Sequence, residues 1–160
     1  MGDYDEFPLS VRIFLRAYRW RRIDPVPFAP LRKPLREARI ALISSAGFVR
    51  PDQPPFDAHI RGGDTSFRAI DATENVNNLI NTHRSESFDP GGIEADANVA
   101  FPLDRMRELA AAGEIGALAP RTISFMGSIT APGRLVVQTA PAIAGMLQDD
   151  RADAALLVPI

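Results

Sequence analysis

Ala38–Gly47, ARIALISSAG, sets the reading of the whole chain. It is an apolar run of strand length closed by small residues and a glycine, the pattern of a strand buried on both faces. Its counterpart is Ala155–Ile160, ALLVPI, which follows the acidic turn DDRAD. Strands buried in parallel sheets read as continuous apolar runs. Ile40–Ser44 and Ala155–Val158 are therefore expected as neighbouring central strands.

The segments between them alternate in type. Phe48–Gly63 is expected as loop, broken by Pro51, Pro54, Pro55, Gly62 and Gly63. Thr65–Ile70, TSFRAI, alternates polar and apolar and suits a short strand. Asn75–His83 is weakly amphipathic, and its type stays open. The strongest helix lies in FPLDRMRELAAAGEIGAL, where Pro102 suits the first turn and Leu103, Met106, Leu109 and Ala110 repeat at helical spacing. Gly113 is its expected stop, in the left-handed conformation. TISFMGSI reads as a strand and APG as a turn. A last helix is expected with Thr139 as its cap, Pro141 in its first turn, and Ile143, Met146 and Leu147 on one face.

Strands alternating with helices indicate an α/β fold: three layers, a largely parallel sheet with helices on both faces, truncated at a central strand. Met106 and Met146 should point at the sheet. Ligands of such sheets bind beyond the carboxyl ends of the strands. Ser44, Ser45 and whatever follows Ile160 then share one rim.

With 160 residues, 46% of them hydrophobic, the chain can bury the core of one domain. A net charge of −2 argues against nucleic acid as a partner. The basic residues are unevenly spread: residues 1–39 hold nine Arg and Lys against five Asp and Glu, and the rest holds nine against fifteen. The basic excess, interleaved with Tyr18 and Trp20, suits an arm facing nucleic acid or a membrane. The favoured reading is plainer: residues 1–37 form a proline-stiffened extension over an acidic domain, residues 38–160. No run of eighteen apolar residues exists, and the acidic start does not read as a secretory signal. With no cysteine there is no disulfide, thiolate metal site or thiol nucleophile, and the expected compartment is the cytoplasm.

The polar candidates each have an ordinary alternative. His59 has no carboxylate at ligand spacing, so no metal is expected. His83 stands among Arg84, Glu86 and Asp89 and reads equally as a pocket residue or as a surface cap. Ser44 and Ser45, in SSAG, suit an anion at a strand end, without any phosphate-loop motif beside them. In RGGDTSFR, Arg68 with Asp64 and Ser66 suits a carboxylate clamp or a plain turn. Asp96 and Asn98 most often satisfy free N–H groups where a helix begins. Nothing assembles a Ser–His–Asp triad.

Taken together, ARIALISSAG, RGGDTSFRAI, the block from His83 through FDPGGIEADANVAFPLDRMRELAAAGEIGALAPRTISFMG, and the final DAALLVPI resemble the selenoprotein B family of the glycine/sarcosine/betaine and D-proline reductases. The resemblance runs from about Arg39 to Ile160. It implies an oxidoreductase subunit that cleaves a C–N bond of a small amino acid or amine, with thiols as electron donors. A selenocysteine or cysteine is expected just after the strand matching DAALLVPI, that is, after Ile160. A partner subunit is implied to carry a pyruvoyl group that holds the amine. The matching polar positions are Asp64, Ser66, Arg68, His83, Asp96 and Asn98, all as pocket candidates. Thr122 stands where relatives often have histidine, so its segment is assigned no catalytic role. The resemblance implies that the chain is inactive as it stands and that a selenocysteine codon was read as a stop. The alternative is a cysteine-free relative acting as a non-enzymatic binding or partner subunit.

Overall fold

The computed structural model describes residues 7–18, 22–85 and 90–160. Trp20, Glu86 and Asp89, named above, lie outside the described residues, as do the first six. The chain divides into two compact units, Met1–Pro30 and Leu31–Ile160. In the first, α1 (Leu9–Ala17) follows Pro8, has no buried residue, and stacks Phe14 against Tyr18 at 5.6 Å between ring centres. Leu31–Glu37 belongs with the second unit. Lys33 pairs with Asp153 at 2.8 Å, and the Leu35 carbonyl accepts the Gly116 N–H at 3.0 Å.

The second unit runs β1 (Arg39–Ser44), β2 (Phe48–Val49), β3 (Phe67–Asp71), β4 (Ile80–Asn81), α2 (Gly91–Ala95), α3 (Leu103–Ala111), β5 (Ala117–Leu118), β6 (Arg121–Phe125), α4 (Ala140–Asp149) and β7 (Ala154–Val158). β1 is the axis. Along one edge β5 pairs its first half, from Arg39↔Ala117, and β6 its second, through Ser44↔Ser124, all parallel. β3 runs antiparallel outside β6. Along the other edge β7 runs parallel to β1, from Ile40↔Ala154 to Ser44↔Val158. β2 and β4 form a separate antiparallel pair.

Alternation along β1 sends Ile40 and Leu42 to one face and Ile43 to the other. The first face packs Leu42 with Phe48, Ile70, Phe101 and Leu103, and Ile40 with Met106 of α3. Phe48 and Phe101 meet edge to face at 5.8 Å. The second face packs Ile43 and Ile123 under Ile143, Met146 and Leu147 of α4. Each fully buried side chain of this size contributes about 1.5–3 kcal/mol relative to exposure. The fold is therefore the expected α/β arrangement, an open and mostly parallel sheet with helices on both faces and both methionines turned toward it. Gly113 ends α3 with φ +72°, the left-handed stop its position implies.

Three details differ. β7 neighbours β1 as expected, but among the described residues β1 is its sole strand partner, and Leu156 and Leu157 are 40% and 67% exposed. An apolar run reports what a strand is able to bury, and α3 and α4 lie over β1 and β6 instead. Thr139 is not a helix cap. Helical backbone begins at Gly133 and passes through a π-type turn, Leu135–Thr139, into α4. Pro141 has no N–H for the Val137 carbonyl and crowds it, which accounts for a widened turn just before it. Phe48–Gly63, expected as loop throughout, contains β2. Among the described residues no helix is long and apolar enough to cross a membrane.

Candidate functional site

The carboxyl ends of β1, β6 and β7 meet at Ser45. Its N–H donates to the Val158 carbonyl at 3.1 Å, and its own carbonyl accepts the Gly127 N–H at 2.7 Å. Its hydroxyl accepts the Ile160 N–H at 2.8 Å and donates to the Ile160 carbonyl at 3.3 Å. Ser45 thus fixes where the backbone beyond β7 goes. Ser44, one residue earlier, points into the core. Its hydroxyl donates to the Ala100 carbonyl at 2.6 Å and accepts the Ala46 N–H at 3.2 Å, so it braces the rim.

His83 reaches this rim from the segment after β4. Asn81 Oδ1 accepts the His83 N–H at 3.0 Å, and His83 Nδ1 accepts the Ser85 N–H at 3.2 Å. With Nδ1 engaged as an acceptor, the neutral ring carries its proton on Nε2. Burial holds the imidazole below its ordinary value, and the Arg84 charge adds to that, so the ring is neutral at pH 7. These groups close around Gly127 with no room for a side chain. A Cβ there would lie 2.9 Å from the Ile160 carbonyl oxygen, 3.2 Å from His83 Nε2 and 3.3 Å from the Ser45 carbonyl oxygen. Glycine is therefore needed here for the His83 ring and the Ile160 and Ser45 carbonyls to close this tightly, and a methyl group would have to displace one of them.

The other candidates lie elsewhere. Arg68 does not converge with His83. Its guanidinium sits 4.3 Å over the Phe56 ring and donates to the Pro54, Pro55 and Phe67 carbonyls and to Ser66 Oγ. Asp64 is buried beside it, accepting N–H groups from Asp57 at 2.9 Å and Ser66 at 2.8 Å. Burial raises the Asp64 carboxyl, but the Ser66 side chain, these two N–H groups and the Arg68 charge together outweigh it and hold the group below the usual carboxylate range. Asp96 and Asn98 build the approach to α3. Asp96 accepts the Asn98 N–H, and Asn98 Oδ1 accepts the Asp104 N–H at 3.0 Å. Thr122 is buried, with its hydroxyl on the Ile70 carbonyl at 2.9 Å. The rim thus gathers Ser44, Ser45 and His83 of the eight candidates. Sequence reading missed Gly127, whose signal is a small residue just past a strand end, and gave Arg84 no role of its own. The Arg84 guanidinium ties the Ala58 and Ile60 carbonyls to that of Ser128.

Residues 9–159 match the family described as glycine/sarcosine/betaine reductase selenoprotein B. The chain belongs to this family. The D-proline reductase subunit gamma of Acetoanaerobium sticklandii is 37% identical over 136 residues, covering 84% of this chain and 54% of that protein. The glycine reductase complex component B subunit gamma of Symbiobacterium thermophilum is 35% identical over 104 residues, 63% of this chain and 24% of its own. The sarcosine reductase complex component B subunit beta of Peptoclostridium acidaminophilum is 29% identical over 113 residues, 69% and 25% respectively. The chain thus spans about half the length of the D-proline reductase relative and about a quarter of the other two. These relatives are named as subunits of reductases, two of them as components of complexes. No solved structure matches the chain.

Proposed function

We propose that this selenoprotein B domain frames the site of reductive C–N cleavage in a multi-subunit reductase, acting on a small amino acid or amine. The observation that carries this reading is the fastening of Ile160 to Ser45 beside His83 and Gly127. A selenolate or thiolate carried just after Ile160 stands at this rim, beside the His83 ring. The chain itself has no cysteine, so the nucleophile lies outside these 160 residues. It attacks the carbon bearing nitrogen. A carbon–chalcogen bond forms as the C–N bond breaks, and nitrogen leaves with the electron pair and takes a proton. A thiol then attacks the chalcogen, the carbon leaves with the bonding pair and is protonated, and a second thiol releases the nucleophile. In sum, one C–N bond and two thiols become C–H, N–H and a disulfide.

Within this scheme the neutral His83 donates from Nε2 and favours the anionic nucleophile. Ser45 is a positioning residue, setting the direction of the chain after β7. A pyruvoyl group on a partner subunit would supply a carbonyl able to hold an amine, and His83 Nε2–H would be a hydrogen-bond donor for its oxygen.

The test is a single cysteine appended after Ile160, with its alkylation rate followed against pH. The expected thiol pKa lies below that of free cysteine, and His83→Gln or Gly127→Ala moves it back up. An appended thiol that titrates like free cysteine in all three proteins would sink the proposed chemistry of the rim. In a full assay with partner subunits and a dithiol, the cysteine-free chain should support no substrate-dependent disulfide formation.

A further inference from the structure

A cavity of roughly 780 Å³ opens beside this rim, and nothing above uses it. One wall is the loop Ile60–Ser66, and the other is the start of the helical run, Ala131–Arg134 with Gln138 and Thr139. The walls are locked together. The Ala131 N–H donates to the Gly62 carbonyl at 3.0 Å, and the Thr139 hydroxyl, in the π-type turn, donates to the Thr65 carbonyl at 2.6 Å. Gly62 and Gly63 have φ of +89° and +106°, and a Cβ on either would come within 2.8 Å of Ala131 or Ile129. Glycine is therefore required twice for the loop to lie this close.

Two guanidinium groups line this cavity, Arg61 and Arg134, and neither makes an ion pair or hydrogen bond with the described residues. Elsewhere in this unit Arg39, Arg50, Arg107 and Arg121 are all tied down. The one carboxylate in the lining, Asp64, is turned onto the Asp57 and Ser66 N–H groups. Arg68 and Arg84 stand close by, on the neighbouring carbonyls. The charge balance of the cavity is positive, while Ile60, Ala131 and Pro132 give it an apolar flank.

We infer that this cavity binds a small oxyanion, a carboxylate or phosphate on a short apolar body, held by Arg61 and Arg134. Guanidinium groups hold such oxygens through paired N–H donors. The free N–H groups of the first helical turn add to the same field. The inference stands independently of the chemistry proposed for the rim.

The test is titration of the isotopically labelled chain with acetate, propionate and inorganic phosphate, at ionic strength held constant with chloride. Saturable amide shifts are expected at Gly62, Gly63 and Gly133. Arg61→Gln combined with Arg134→Gln should weaken them at least tenfold. Both arginines are exposed and make no bond with the described residues, so the double variant should keep the parent's melting temperature. Saturation by acetate and propionate alone assigns a carboxylate, and saturation by phosphate alone assigns a phosphate. Shifts that never saturate, or that survive unchanged in the double variant, overturn the inference. The readout is occupancy of the cavity, so it separates from thiol reactivity at the rim.

Discussion

β6 and β7 lie against opposite edges of β1, both parallel to it, and their burial runs opposite to their hydrophobicity. β6 carries Arg121, Thr122 and Ser124 among its five residues, yet Thr122, Ile123 and Ser124 are at most 1% exposed. β7 is Ala154–Val158, wholly apolar, yet Leu157 is 67% exposed. β6 has β3 outside it and α4 above it, and Arg121 holds Asp150 at the end of α4 through a two-armed contact at 2.6–3.0 Å. β7 has a strand on one edge alone among the described residues. Position in the stack decides burial here, and hydrophobicity only permits it.

If that contrast is right, truncating equivalent side chains on the two strands should differ severalfold in cost. Ile123 and Leu157 flank Ile43 from opposite sides on the same face. Ile123→Ala removes a fully buried side chain from under α4 and should cost about 3 kcal/mol, including the cavity left behind. Leu157→Ala should cost less than about 0.5 kcal/mol. Urea melts of the two variants settle it, and equal losses would mean that β7 is as well covered as β6.

A smaller effect, of opposite sign, sharpens the same point. Ser124 pairs with Ser44 across the strands, but its hydroxyl is buried with no hydrogen-bond partner among the described residues. A hydroxyl left unsatisfied in an apolar setting costs about 1–3 kcal/mol. Ser124→Ala is therefore expected to leave stability unchanged or raise it by up to about 1 kcal/mol. Ser44→Ala, which breaks a 2.6 Å bond to the Ala100 carbonyl, should lower it. A clear loss in Ser124→Ala would mean that the hydroxyl has a partner in solution.

The same contrast explains how far the sequence could be read. ARIALISSAG was legible as the sheet's axis because a strand flanked on both edges and covered on both faces must be apolar throughout. α3 was legible because Leu103 and Met106 face a single core at helical spacing. The exposure of β7 among the described residues was not legible, since apolar residues satisfy the requirements of a central strand and do not forbid an edge. Nor was the π-type turn, which depends on how Pro141 meets the Val137 carbonyl in three dimensions. At the rim, Ser45 and His83 were legible as polar residues next to a strand end and in a polar segment. Arg68 looked like the ligand clamp because charge is visible in sequence. The Pro54 and Pro55 carbonyls that occupy it are not. Arg61 and Arg134 lie more than seventy positions apart, and only the fold brings them to one cavity.

The smallest change in stability, and the sharpest test of the exposed edge, belongs to Leu157→Lys. Leu157 lines an apolar hollow of about 260 Å³ with Ile43, Phe125, Ile143 and Leu147, and the outer edge of β7 beside it carries backbone N–H and C=O groups without a strand partner among the described residues. An apolar strand edge of this kind is a template for pairing with another chain, and lysine on such an edge is a common way to block it. Because the side chain is two-thirds exposed, the substitution should alter stability by no more than about 0.5 kcal/mol. Its effect should appear in association instead. Sedimentation and light scattering are expected to show concentration-dependent self-association of the parent chain, reduced in Leu157→Lys at an unchanged melting temperature. A parent that stays monomeric at high concentration, or a variant that melts several degrees lower, would show that β7 is covered in solution and that the two sides of β1 are more alike than their exposure indicates.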